Sequence, residues 1–487
     1  MSLDSSTGAP ASVFHGEPPF WRKEDGLLSP EVVGRILAAA LERGADFADL
    51  FAEDSVSTAL TLQDRKIRDI QYSVVRGVGI RVISGKMVGY AHTGEVSERS
   101  LLEAARTAGH IAAHEVRPIE VGLQPGRAAL ISPVQQYPDQ AASAAKVAIL
   151  RQTDESARAH DPRVREASVY YRDAVQRVLL ATSDGRLFED ERVRTSLSCS
   201  VVAVEGSERQ SGSSRVGGMR GFELFVEHDP VEVGRRAAVQ ALRMLEAREA
   251  PVGLLPVVLT NGWGAVLLHE AIGHGIEADF NRKGTSRFTG MLGKKVASEM
   301  VTIDDTALIP NHWGSLGVDD EGGETRATGL VRDGVLVSYM YDRYNASLMG
   351  LRDGGNSRRE NYRCTPMPRM TNTVMKPGPC KFEDLVAAVD RGFYAADFTG
   401  GQVDITNGQF VFSVSEGYLI ENGRITAPVK GATLVGEGAD VLGKITMVAD
   451  DFALSFGGCG KNGQYVPVGL GQPHVLVSAM TVGGTRG

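Results

Sequence analysis

The sequence predicts an α+β protein, with an N-terminal mixed α/β region followed by a C-terminal domain rich in antiparallel β-sheet that carries one histidine-bearing helix. Three observations predict it. A chain of 487 residues is too long for one compact core. Its 57 glycines imply many tight turns between short strands. Helix-capping signals cluster before about residue 247, whereas turn signals dominate after about residue 301. The expected organisation is a disordered tail over residues 1–25, an α+β domain over 26–247 and a β-rich domain over 248–487.

The elements follow in order. "SPEVVGRILAAALERG" has a Ser29 cap, Pro30 at the first helical position and Gly44 past the end, with Val33, Ile36, Leu37, Ala40 and Leu41 as its apolar stripe. "STALTLQD", "IRDIQYS" and "GVGIRVISGKMVGYAHTG" read as strands, the last a hairpin turning at Ser84-Gly85-Lys86. A helix over about 98–114 precedes an irregular stretch to about 138. Then come a helix over about 140–160, strands over about 167–204, and a helix opened by Asp229-Pro230. "APVGLLPVVL" marks the boundary and a buried strand. Beyond Val301, Arg332-Asp333-Gly334, Asn407-Gly408 and Glu421-Asn422-Gly423 are hairpin turns.

Composition excludes several classes. Net charge is −8 and the pI about 5.8, which argues against nucleic acid or an anionic membrane as partner. No apolar run approaches the roughly 18 residues needed to span a bilayer. The N-terminus has no basic region followed by an apolar one, so a cytoplasmic protein is expected. Cys199, Cys364, Cys380 and Cys459 form no CxxC pair and are expected to be free thiols.

The chemistry concentrates in "LLHEAIGHGIEADF", Leu267 to Phe280. Zinc proteases carry H-E-x-x-H, with two ligands four apart on one helix face. His269 and His274 are five apart, which places them about 140° apart on an ideal helix. They can share a metal only if the helix bulges to a π-type turn or ends between them. Gly273 and Gly275 make either option cheap in backbone terms. The competing reading is a helix with two ordinary buried histidines. Against it, the apolar run "WGAVLL" leads into His269-Glu270, where a solvated face should not lie, and Glu270 beside a metal has a task as general base. A third ligand is needed. Glu277, Asp279, His474 and Cys459 are candidates, with Cys459 in "FGGCGKNGQYVPVG" slightly preferred, because a thiolate suits zinc and its glycines allow close approach.

"HEAIGHGIEADFNRKGTSRFTG", "RRENYRCTPMPRMTNT", "GGQVDITNGQFVFSVSEGYLIENGRI" and "GGCGKNGQYVPVG", in that order, resemble the TldD/PmbA family of bacterial and archaeal peptidases. The match is to the TldD-type subunit, which carries the metal motif its sister TldE/PmbA lacks. The resemblance implies that His269, His274 and Cys459 hold Zn2+ and that Glu270 is the catalytic glutamate. It further implies unfolded peptides as substrates and assembly as a homodimer or with a TldE/PmbA-like sister subunit. The competing functions are a non-proteolytic binding or regulatory subunit with structural zinc, and a small-molecule amidase. Elsewhere, "DDEGGETR" (Asp319 to Arg326) reads as a mobile loop or a lid. Arg358, Arg359 and Arg363 read as surface arginines or contacts to a substrate carboxylate.

Overall fold

The computed structural model describes residues 18–22, 27–112, 119–126, 128–351 and 354–484. The fold is α+β, and strand exceeds helix throughout. Most of the expected tail, residues 1–17 and 23–25, lies outside the described residues, as do residues 113 and 114 at the end of the expected second helix. The described part of the tail is not loose. Phe20–Arg22 form a short 3-10 turn with Phe20 and Trp21 buried, because the Phe20 amide donates to Asp54 and the Trp21 indole to Glu189.

The N-terminal half is built on one long-stranded sheet, in the order Met87–Thr93, Lys66–Ser84, Phe47–Gln63, Val164–Thr182, Arg186–Glu205, with Glu208–Gly218 pairing the last of these. The expected strands proved to be pieces of longer ones. "IRDIQYS" and "GVGIRVIS" are one 19-residue strand, and its partner starts at Phe47. The two turn through Asp64 and Arg65, both at positive φ.

Alternation along Phe47–Gln63 assigns the two faces. Leu50 and Ala52 pack under Pro30–Leu41 and Glu98–Gly109, whereas Leu60 and Leu62 pack under Ser143–His160 and Pro230–Leu245. One face therefore carries two helix pairs in succession. On the other face Phe51, with Val178 and Leu180, packs against Val318 and Tyr362 of the C-terminal half.

The C-terminal half holds two large sheets and a two-stranded one, Ser357–Arg358 with Met367–Pro368. In the larger, Arg391–Val403, Gly253–Leu259, Val475–Gly483, Thr433–Glu437 and Gln409–Glu421 pair in turn, and the pairing of the first with the last closes a ring. In the smaller, six-stranded sheet, Ala453–Lys461 is the edge strand, beside Gln464–Gln472. Most pairings are antiparallel, as expected, but Gly253–Leu259 with Arg391–Val403 and Asn372–Met375 with Gln464–Gln472 run parallel. The hairpin turns stand where the sequence places them, with Asp333 and Asn422 at positive φ before glycine and Gly408 itself at positive φ. Ala265–Ile276 lies in the core shared by both sheets.

The segment Asp319–Arg326 corrects the expectation of a mobile loop or lid. Asp319, Asp320 and Glu321 are buried, because arginines of both halves close on them. Arg81 pairs with Asp49 and Glu321, Arg192 with Asp190 and Asp320, and Arg359 with Asp49. Arg358 and Arg359 are likewise buried rather than on the surface. Among the described residues no helix is long and apolar enough to cross a membrane.

Candidate metal centre

The five-residue spacing is accommodated by a π-type turn. Residues 265–268 are α-helical, but the amide of His274 donates to the carbonyl of His269, an i→i+5 bond. This slower rotation per residue returns His274 to the face of His269. The imidazole centroids are 5.0 Å apart and nearly perpendicular. A 3-10 turn over His274–Ile276 then ends the segment.

The glycines serve space rather than conformation. Gly273 has φ −51°, an ordinary helical value. A Cβ there would stand 2.2 Å from the sulfur of Met370, and one on Gly275 would stand 2.6 Å from the ring of Phe288. Around Cys459 the same holds for Gly458, across which the Tyr465 ring lies.

Cys459 arrives from the edge strand, in register with Val466. Its Sγ is 3.3 Å from His274 Nε2. One ligand atom each from His269, His274 and Cys459 lie within 4.8 Å of one another. Burial alone would push the thiol up, but the two imidazoles facing it bring it down to about 4. Burial likewise disfavours charge on His274, yet Glu277 and Cys459 raise it well above the ordinary histidine range. His269 Nδ1 is buried without a hydrogen-bond partner. Two imidazoles and a thiolate, with one buried nitrogen unsatisfied, fit a soft divalent cation such as zinc.

The other candidate ligands are placed elsewhere. His474 is held by Asp451 at 2.6 Å and Tyr394 at 3.1 Å, outside the cluster. Glu277 accepts from His274 Nδ1 at 3.2 Å and pairs with Lys461 at 3.1 Å, so it orients the ring. Asp279 also pairs with Lys461, at 2.7 Å. Glu270 is half-buried at the start of the π-type turn and has no ion pair among the described residues.

Two groups escaped the sequence reading. Lys461 is buried and neutralises the acidic pair behind His274. Its position two residues after Cys459 on a strand, hence on the same face, was the available signal. Arg369 is fully buried and donates to the carbonyl of Cys459, fixing the strand from behind. No local pattern pointed to it.

Residues 252–484 match the PmbA/TldA metallopeptidase C-terminal domain, 136–245 the central domain and 48–112 domain 1. The chain belongs to the PmbA/TldD metallopeptidase family. Among its family relatives, a protein of Haemophilus influenzae named "Metalloprotease TldD homolog" is 43% identical over 94% of this chain and 97% of its own length. One of Saccharolobus solfataricus named "Zinc metalloprotease TldD homolog" is 29% identical over 92% and 99%. TldE from Thermococcus kodakarensis shares the family fold, with a TM-score of 0.74 at 19% identity over 93% of this chain and all of that one. A putative modulator of DNA gyrase from Thermotoga maritima superposes at 0.75 with 23% identity, covering 93% and 99%.

Proposed function

We propose that the chain is a zinc-dependent peptidase acting on unfolded or small peptides, with His269, His274 and Cys459 as ligands and Glu270 as general base. The convergence of three ligand atoms, with no fourth among the described residues, is the observation that carries it. Structural zinc sites close with four protein ligands, whereas catalytic ones keep a position open. This favours the peptidase over a binding subunit with structural zinc.

Zinc held there supplies a Lewis acid that polarises a carbonyl and acidifies water. Glu270 takes the proton of the attacking water and returns it to the leaving amine. Glu277 holds His274 by Nδ1, leaving Nε2 toward the site.

The edge strand Ala453–Lys461 supports an extended peptide as substrate over a small amide. It has a strand partner on one side only, so an extended peptide could add along the other, and Cys459, whose carbonyl is held by Arg369, sits within it. Glu270→Gln is the test. Peptide hydrolysis should fall by at least the roughly 100-fold expected for a lost general base, with zinc retained. Unchanged hydrolysis rejects the assignment of Glu270.

A cytoplasmic chain paired with a copy of itself or with a TldE/PmbA-like sister completes the proposal. Ile70, Tyr72 and Val74 form an exposed apolar stripe, 63%, 68% and 51% exposed, suited to such a partner. Sedimentation of the chain alone and mixed with a sister chain distinguishes the two assemblies.

A further inference from the structure

Between the polar half of the N-terminal sheet and the C-terminal half lies a cavity of about 530 Å³. Five arginines line it: Arg172, Arg192, Arg194, Arg358 and Arg359. Their charges are unequally answered. Arg192 is taken up by Asp190 and Asp320. Arg194 and Arg358 have no carboxylate partner among the described residues, and bond instead to the backbone carbonyls of Trp313, Met370 and Pro467.

Arg194 is 7% exposed, Arg358 3% exposed, and Nη2 of Arg194 is buried with no partner. Nε and Nη1 of Arg359 are also unpartnered. Burial and then the neighbouring arginines bring Arg194 down to about 9, while burial, opposed by Asp320 and aided by Arg369, brings Arg358 down to about 10. Four carboxylates share the wall: Asp173 is committed to Lys146, Asp320 to Arg192, Glu53 to Ser55, Gln176 and the Tyr362 amide, and Glu360 to the Tyr465 amide. Unsatisfied buried donors of one sign are costly unless an anion joins them.

The cavity reaches the strand pair that carries Cys459. Pro467 lines it and is the register partner of Gly458, the neighbour of Cys459. Alternation puts Gly458 and Pro467 on the face opposite Cys459. A peptide added along the edge strand would send every second side chain to that face.

We propose that this cavity is an anion subsite that receives a carboxylate of the bound peptide, close to the cleaved bond, through Arg194 and its neighbours. The assignment rests on the peptidase reading for its orientation, though not for its affinity.

Binding to the full-length Glu270→Gln chain is therefore measured first, by anisotropy of labelled peptides. One peptide carries aspartates and a free C-terminus, a second has asparagine in place of each aspartate, and a third has an amidated C-terminus. The acidic peptide should bind on the order of tenfold or more tighter than the asparagine one. A loss on amidation instead assigns the subsite to the terminal carboxylate. Arg194→Met should remove the preference and Arg194→Lys recover part of it. Equal binding of all three peptides to the unmutated subsite overturns the proposal without needing any arginine variant. A retained acidic preference in a chain whose wild type hydrolyses nothing leaves the subsite standing and rejects the peptidase reading. Hydrolysis by the wild type with no acidic preference does the reverse.

Discussion

Glu277 and Asp319 are both buried carboxylates next to glycine-interrupted charged segments, yet their surroundings drive them in opposite directions. Burial alone raises both. At Glu277 Lys461 and His274 reverse the effect and take it down to about 2. At Asp319 Glu321 adds to burial and takes it up to about 7. The lesson is that depth does not decide the charge of a buried acid; the sign of its neighbours does. The first arrangement places an orienting anion behind His274. The second makes a charge-dense joint between the two halves of the molecule, with Arg81 pairing with Glu321, Arg192 with Asp320, and the backbone amide of Arg359 donating to Asp320.

Breaking the first region should have the largest effect. Cys459→Ala leaves two imidazoles, so zinc should drop from about one ion per chain to near none by elemental analysis. That loss should exceed the roughly 10–100-fold typical of removing an outer hydrogen-bond partner. Full zinc occupancy in the variant would mean that the thiolate is no ligand.

Glu277→Gln should be milder. Metal affinity should fall about 10–100-fold and stability by about 1–3 kcal/mol, since Lys461 keeps Asp279 as partner. Competition with a chelator and thermal melts check the two parts separately. Unaltered zinc affinity would remove Glu277 from its orienting role.

The smallest effect, on pH dependence, sharpens the contrast. The folded pKa of Asp319 lies above its unfolded value of about 3.9. The fold therefore holds the extra proton between about pH 4 and about pH 7, and stability contributed there is lost as pH rises through that window. Glu277 has the opposite sign, its contribution being lost only as pH falls from about 4.5 toward about 2. Asp319→Asn should flatten the dependence of Tm between about pH 5 and about pH 8 while leaving the acid limb in place. A slope as steep as in the wild type would show that Asp319 does not carry it.

How much could be read in advance differs between elements. Caps and turns were legible, because Ser29-Pro30 and Asn422-Gly423 act through their own backbone. The helical irregularity at His269 was legible as a geometric necessity, since five residues cannot share one α-helical face. The role of Gly273 was misjudged, because the restriction comes from Met370, some hundred positions away, and not from its own φ. Arg358 and Arg359 passed for surface residues because nothing local announces the carboxylates and carbonyls that bury them.

By itself the sequence determined where this chain turns and caps, that two histidines five apart need a distorted helix, and that a thiolate among glycines could complete a metal site. Those conclusions depend on dihedral preferences and donor chemistry carried by neighbouring residues. Only the tertiary structure decided that Cys459, rather than Glu277, Asp279 or His474, meets the histidines, and that Glu277 stands behind His274 with Lys461. Packing of the edge strand that carries Cys459 against a helical turn 185 positions earlier sets those distances, and that packing is a property of the whole fold.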